Sequence, residues 1–401
     1  MADKPFRISG TGCSLVDYLY KPVDFTGDRF KEYLSVKPGD GGLSPGRLVF
    51  TGELENFAGR AYPLIRHDLT EGMEPVAINI GGPSIVSLIH ASQICGQTAG
   101  VYFYGCSGND DSGEFIRQKL SSTPLNTGLY KTVDSHTPFT DVLSDPHYDS
   151  GHGERVFINN IGAAWDLFPE DLGEDFFNSQ ITVFGGTALV PNIHNDLKNL
   201  LIKAREKGSL TIVNTVFDFL SERRNPQNPW PLGESIETYR YIDLLIADRE
   251  EALRHSGTRT PEEAIEFFRH SGAGAVIITH GPHPIHYYAD HEYFINLEPG
   301  SLPASRKVID EIANNPALAG DTTGCGDNFT GGVIASVARQ MIDTPGQPVD
   351  LKSAIALGVA SGGFACFYHG GTYHEKFPGE KLQLVTKYYD AYLKQIDKPF
   401  K

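Results

Sequence analysis

Gly320-Asp321-Thr322-Thr323-Gly324-Cys325-Gly326-Asp327-Asn328-Phe329-Thr330-Gly331-Gly332 runs directly into an apolar, helix-like stretch from Val333 to Met341. Glycines at 324 and 326 let the backbone turn tightly just ahead of a helix. The N–H groups exposed at such a start, together with the helix dipole, form a cradle for an anion. Asp327 stands at the mouth of that cradle, where its carboxylate would repel a resting phosphate. A base that accepts a proton from an attacking hydroxyl gives the placement a reason. The plain alternative is that Asp321 or Asp327 caps the helix. Capping alone leaves the two spaced glycines, the second acid and the Gly331-Gly332 pair unexplained. Other phosphate-binding signatures fit less well. The chain has no Gly-Lys step of the kind a P-loop needs. Gly10 and Gly12 could open a dinucleotide fingerprint, but Leu15 occupies its third glycine position.

Around this segment the chain alternates strand-like and helix-like pieces. From about residue 76 the order is strand 76–80, helix 84–94, strand 100–104, helix 112–120, then a strand pair at 139–143 and 155–159. Strands follow at 181–184, 210–216, 241–247, 275–279 and 285–289, with helices at 195–206, 249–255 and 261–270 between them. Three helical segments, 328–341, 351–367 and 380–396, close the chain. Phe6 to Val16 reads as one strand broken by Gly10 and Gly12, and the Pro- and Gly-rich stretch 21–60 as hairpins and loops outside the main sheet. The alternation predicts an α/β fold with a central, mostly parallel twisted sheet covered by helices on both faces.

With 401 residues, 40% hydrophobic and 21% charged, the chain can bury a sizeable core. A formal net charge of -16 opposes binding to nucleic acid or to an anionic membrane surface. Cys13, Cys95, Cys106, Cys325 and Cys366 form no CxxC pair and read as thiols of a reducing compartment. The polar start carries no signal-peptide core. The uncharged stretch 353–373 is too rich in Gly, Ala and Ser for a membrane span, so a cytoplasmic protein is expected.

Asp321 to Gly332 resembles the C-terminal signature of the PfkB (ribokinase-like) family of carbohydrate and nucleoside kinases, Asp-Thr-x-Gly-Ala-Gly-Asp, with Cys325 in place of Ala. The resemblance implies an ATP-dependent kinase that transfers the γ-phosphoryl group to a hydroxyl of a small-molecule sugar, with a nucleoside acceptor as the alternative. A sensor without catalysis on the same fold is the third reading. By resemblance Asp327 is the base, and the N–H groups around Gly324, Cys325 and Gly326 stabilise the transferred group. Gly81-Gly82, between a strand and a helix, matches the family's di-glycine at the sugar site and lid hinge, and Asp17 matches the acid that holds substrate hydroxyls. Gly105, Gly108, Asp110 and Gly113 fill a Gly-x-x-Gly-x-Asp-x-x-Gly pattern.

The same resemblance assigns the cofactor side. Asp248-Arg249-Glu250-Glu251 is similar to the family's Asn-x-x-Glu motif, with Asp248 for Asn, so Glu251 would hold Mg²⁺ through water. Thr279 and Gly281 would line the nucleotide, and ATP would lie along 248–281 and 353–369. Asp321 corresponds to a neighbour of a monovalent cation in many members, which places K⁺ beside ATP and Mg²⁺ as a candidate cofactor. A β lid from about 18–75 and 137–160 is expected within a single kinase domain spanning 1–401, and a homodimer is among the open assembly states. Two departures bear on the acceptor. The Asn that usually follows the di-glycine, near position 86, is missing from Gly81-Gly82-Pro83-Ser84-Ile85-Val86, which should change substrate choice because buried polar readers discriminate most steeply. The 21–75 insertion is similar in placement to that of adenosine kinases. His280, His283 and His286 lie close in sequence, but Pro282 and Pro284 and the lack of HExxH argue against a metal site. Arg223 and Arg224 read as a solvated loop, and Trp165 as packing or a pocket border.

Overall fold

The computed structural model describes residues 6–397 other than 38, 152, 291 and 321. Its strands are β1 (Phe6–Gly12), β2 (Leu15–Tyr20), β3 (Leu48–Phe50), β4 (Ala77–Gly81), β5 (Ala99–Gly108), β6 (Tyr130–Val133) and β7 (Phe139–Asp145) in the first half. The rest of the chain supplies β8 (Glu154–Asn160), β9 (Ile181–Gly185), β10 (Leu210–Asn214), β11 (Leu244–Asp248), β12 (Ala275–Thr279), β13 (Ile285–Ala289) and β14 (Leu297–Leu302). They form two sheets. The larger has nine strands in the order β14-β13-β12-β11-β10-β9-β1-β5-β6. All neighbours from β12 to β6 run parallel, and β13 and β14 close one edge antiparallel.

Strands at the centre of this sheet are buried throughout, as β9 and β10 show, because helices cover both faces. Alternate side chains divide between two cores. Ile8, Val183, Ile212 and Ile246 pack with the helices Pro83–Cys95, Cys325–Asp343 and Leu351–Ala365. Phe184, Val213, Leu245 and Ile278 pack on the other face with Leu197–Glu206 and Pro261–Ser271. The expected α/β architecture with a mostly parallel sheet is what the chain builds.

The smaller sheet has five strands in the order β3-β8-β7-β2-β4. Its own core holds Tyr20, Phe30, Val49, Leu54, Tyr62, Ile65, Leu143 and Ile158. Three expectations are corrected here. Phe6 to Val16 is not one strand: β1 lies in the large sheet, and the chain leaves at Cys13-Ser14 to start β2 in the small one. Gly12, at φ 134°, makes the exit, and a Cβ there would fall 1.8 Å from the Gly185 carbonyl oxygen. The 76–80 strand likewise belongs to the small sheet, as β4, antiparallel to β2 with Asp17 opposite Asn79. A strand's apolar pattern says which residues are buried, not which partner it finds. The stretch 21–60 is also more ordered than its Pro and Gly content suggests. It carries the helix Thr51–Ala58, and Tyr62–Thr70 follows, both closing on the small sheet's core. Among the described residues no helix is long and apolar enough to cross a membrane.

Candidate active site

The helix Cys325–Asp343 begins at Gly324, a left-handed residue at φ 74°. The turn is tight: a Cβ on Gly324 would stand 2.4 Å from the Gly371 Cα, so two backbones touch there. One position on, the surroundings open, and a Cβ on Gly326 would meet nothing within 4 Å. The first N–H groups of a helix have no intrahelical acceptor. The Cys325 N–H also makes a turn contact, 3.3 Å to the Thr322 carbonyl. Cys325 Sγ lies 3.4 Å from Cys366 Sγ.

Asp327 is the third residue of this helix, and the N-cap position is Gly324, so among the described residues no side chain caps the helix start. The capping alternative therefore does not account for Asp327. Its carboxylate makes no hydrogen bond among the described residues, and burial in the cleft pushes its pKa up to about 6. Asp321 lies outside the described residues.

Asp17 sits on β2 and faces the same cleft. Burial first, and then the charge of Asp327, raise it to about 7. Gly81 is required beside it, because a Cβ there would fall 2.0 Å from Asp17 Oδ2. Gly82, at φ 102°, starts the helix Pro83–Cys95 against the Cys13 carbonyl. The four sequence candidates Asp17, Gly81, Gly82 and Asp327 thus gather in one place, where the small sheet meets the start of the helix Cys325–Asp343. Val86 packs against Gly371, next to the Gly324 turn.

On the other side, Asp248 ends β11 and caps the helix Arg249–Ser256. Its Oδ1 accepts the Glu251 N–H at 2.8 Å, and Glu251 Oε2 accepts the Asp248 N–H at 3.2 Å. Thr215 donates to the same Glu251 oxygen at 2.5 Å. Burial and then the neighbouring Asp248 charge raise Glu251 to about 8, with a further contribution from Asp327. Thr279 ends β12 beside Asp248 in register, and Gly281 follows at φ 51° with open space around it. The cradle therefore has acids on both flanks, Asp17 toward the small sheet and Glu251 toward β11.

The structure also adds residues that the sequence did not single out. Asn79 lies opposite Asp17 and close against Gly370, where a Cβ would meet its amide carbon at 2.8 Å. Thr215 supports Glu251. Sequence spacing carries no signal for either, since both reach the site through strand register and sheet order. Arg223 is corrected: it lies on the helix Phe219–Arg224 and pairs with Glu53 of Thr51–Ala58, tying the small sheet's helix to the large domain. His280 stacks on His283 at 4.3 Å, and His286 faces Glu262. Trp165 is 48% exposed. A separate cavity of about 710 Å³, lined by Phe6, Thr98, Gln180, Tyr293 and Met341, opens at the amino ends of β1, β5 and β9, away from Asp327.

A large, mostly parallel sheet beside a small second sheet, with an acid near a glycine-lined helix start, makes up a ribokinase-like architecture. The chain belongs to the pfkB family of carbohydrate kinases, whose family model matches residues 52–376. Solved structures share the fold. Adenosine kinase from Schistosoma mansoni, in complex with 2-fluoroadenosine, is 18% identical with a TM-score of 0.66, covering 92% of this chain and 97% of that one. A Rhizobium etli CFN 42 protein described as a sugar kinase is 16% identical with a TM-score of 0.68, covering 96% and 99%. An E. coli protein described as a ribokinase II, in complex with ATP and Mg²⁺, is 16% identical with a TM-score of 0.62, covering 95% and 99%.

Proposed function

We propose that this protein transfers the γ-phosphoryl group of ATP to a hydroxyl of a sugar or sugar-like small molecule, with Asp327 as general base. The observation that carries the reading is the Asp327 carboxylate, which has no hydrogen bond among the described residues and stands at an open helix start. At about 6, its pKa leaves it mostly ionised at neutral pH and still basic enough to take a hydroxyl proton. Asp17 would hold an acceptor hydroxyl and orient it, and the N–H groups at Gly324, Cys325 and Gly326 would receive the charge on the moving phosphoryl group. Asp248, Thr279 and Gly281 would border the nucleotide. The small sheet, with segments about 18–75 and 137–160, would act as a lid that keeps water from the γ-phosphate.

A divalent cation fits beside Glu251. Two carboxylates crowd there, and the proximity of Asp248 helps to raise Glu251, an arrangement that a positive ion would relieve. Glu251 would hold Mg²⁺ through water, and the ion would neutralise phosphate charge. A monovalent cation beside Asp321 belongs to the same reading. A nucleoside acceptor is the second reading, supported by the long insertion that carries Thr51–Ala58 and Tyr62–Thr70 over the small sheet.

The test is ADP release from Mg-ATP across a panel of hexoses, pentoses and nucleosides. A sugar-positive, nucleoside-negative pattern is expected. Turnover with nucleosides alone would transfer the assignment to the second reading, and no acceptor-dependent release at all would refute the kinase.

A further inference from the structure

Lys381 is fully buried. It lies on the closing helix, Glu380–Ile396, yet its ammonium reaches the first turn of the helix Cys325–Asp343. Nζ donates to Asn328 Oδ1 at 2.9 Å and to Gln93 Oε1 at 3.0 Å. Burial draws its pKa down to about 7, so the site is an expensive one for a charge and an apolar side chain would sit there more cheaply. The groups that face it are His90 and Gln93 from Pro83–Cys95, Asn328 from Cys325–Asp343, and Tyr368, His374 and Glu375 from the segment after Leu351–Ala365. His90 is held neutral by burial and by Lys381 itself. Glu375 works the other way, favouring the ammonium.

Asn328 shows what the lysine does there. It is fully buried and follows Asp327 directly. Its Nδ2 donates to the Gly324 carbonyl and to the Gly371 carbonyl, both at 2.8 Å. Its Oδ1 accepts from Lys381 and, at 3.0 Å, from the Tyr368 hydroxyl. With donors fixed on the oxygen, the amide has one orientation, and its two N–H groups must point at the two glycine carbonyls. These are the carbonyls of the touching backbones that form the turn.

We infer that Lys381 is a positioning residue for phosphoryl transfer: acting through Asn328, it locks the Gly324–Asp327 turn against Gly371 and so sets the geometry of the anion cradle. The inference rests on the kinase reading for its effect on turnover, but its structural half does not.

The experiment compares Lys381→Met, Asn328→Leu and the double variant in the full-length protein. Two measurements are made: steady-state kinetics, and amide hydrogen exchange of the 324–328 segment. Lys381→Met should lower kcat about 10²-fold through misplacement of the cradle, with both KM values within about threefold. Exchange at 324–328 should quicken at least about tenfold while the strands of the large sheet keep their protection. In the double variant the two losses in kcat should not multiply, because both break one linkage. Wild-type kcat and exchange in Lys381→Met would overturn the inference, and so would losses that multiply. If Lys381→Met does not fold, Lys381→Gln is read by the same criteria. A wild-type protein that phosphorylates nothing would sink the kinase reading, while hydrogen exchange would still decide whether Lys381 holds the turn.

Discussion

The cleft and the small sheet each bury a carboxylate, and burial raises both to about 6: Asp327 in the cleft and Asp141 on β7. Their surroundings differ. Asp141 is sealed at 0% exposure, and its Oδ2 accepts the hydroxyl of Tyr62, which reaches down from the helix Tyr62–Thr70. Among the described residues Asp327 accepts no such bond, and the glycine before it opens onto free space. A perturbed pKa therefore does not mark chemistry by itself. The carboxyl must also be one that an incoming hydroxyl can reach, beside donors aimed where charge will develop.

The comparison can be broken most directly at Asp327. Asp327→Asn should lower kcat by about 10³-fold while leaving the KM for ATP nearly unchanged, because it removes only the proton acceptor. Initial-rate kinetics with the best acceptor from the panel check this, and a variant that keeps wild-type turnover would reduce Asp327 to a second Asp141. Next in size is Asp17→Asn, expected to reduce kcat/KM for the acceptor about 10²-fold with little change for ATP. Equal losses for both substrates would mean that Asp17 shapes the cleft and does not hold the acceptor.

On the other side of the comparison, Tyr62→Phe leaves the Asp141 carboxyl without its donor. It should destabilise the protein by about 1–3 kcal/mol in denaturant melts, with kcat close to wild type. Lost turnover without lost stability would put Asp141 among the catalytic groups. The smallest effect concerns pH. A carboxyl whose folded pKa is raised contributes stability in full below its unfolded value and loses it as pH rises through the folded value. For Asp327 that window runs from about pH 4 to about pH 6 and just beyond. Asp327→Asn should thus be more stable than wild type by about 1–2 kcal/mol at pH 8, with the gap closing below about pH 4. Thermal melts at the two pH values measure it. Activity runs the other way and should rise as pH climbs through about 6.

Much of this was legible in the chain. Ala275–Thr279, Ile285–Ala289 and Glu380–Ile396 begin and end where apolar periodicity predicts, since short buried strands and an amphipathic helix carry strong local patterns. Gly324, Gly326 and Asp327 stood out because a left-handed turn and an acid at a helix start are local demands. Thr51–Ala58 did not, because its helix rests on tertiary contacts with the small sheet and its sequence is dense with polar residues. The hairpin edge β14, with Pro299 and Gly300 inside it, was hidden for a similar reason.

Local chemistry, then, was written in the order of the residues: the glycines that bend, the acid beside them, the alternation that demands a covered parallel sheet. Those properties need only neighbours within a few positions, so the one-dimensional string determines them. Which sheet β2 and β4 join, why Asn79 faces Asp17, and how Lys381 comes to bond Asn328 from 53 residues away were decided only in three dimensions. Such contacts depend on strand register and helix packing across the whole molecule, and no local pattern encodes a partner that the chain meets only after it has folded.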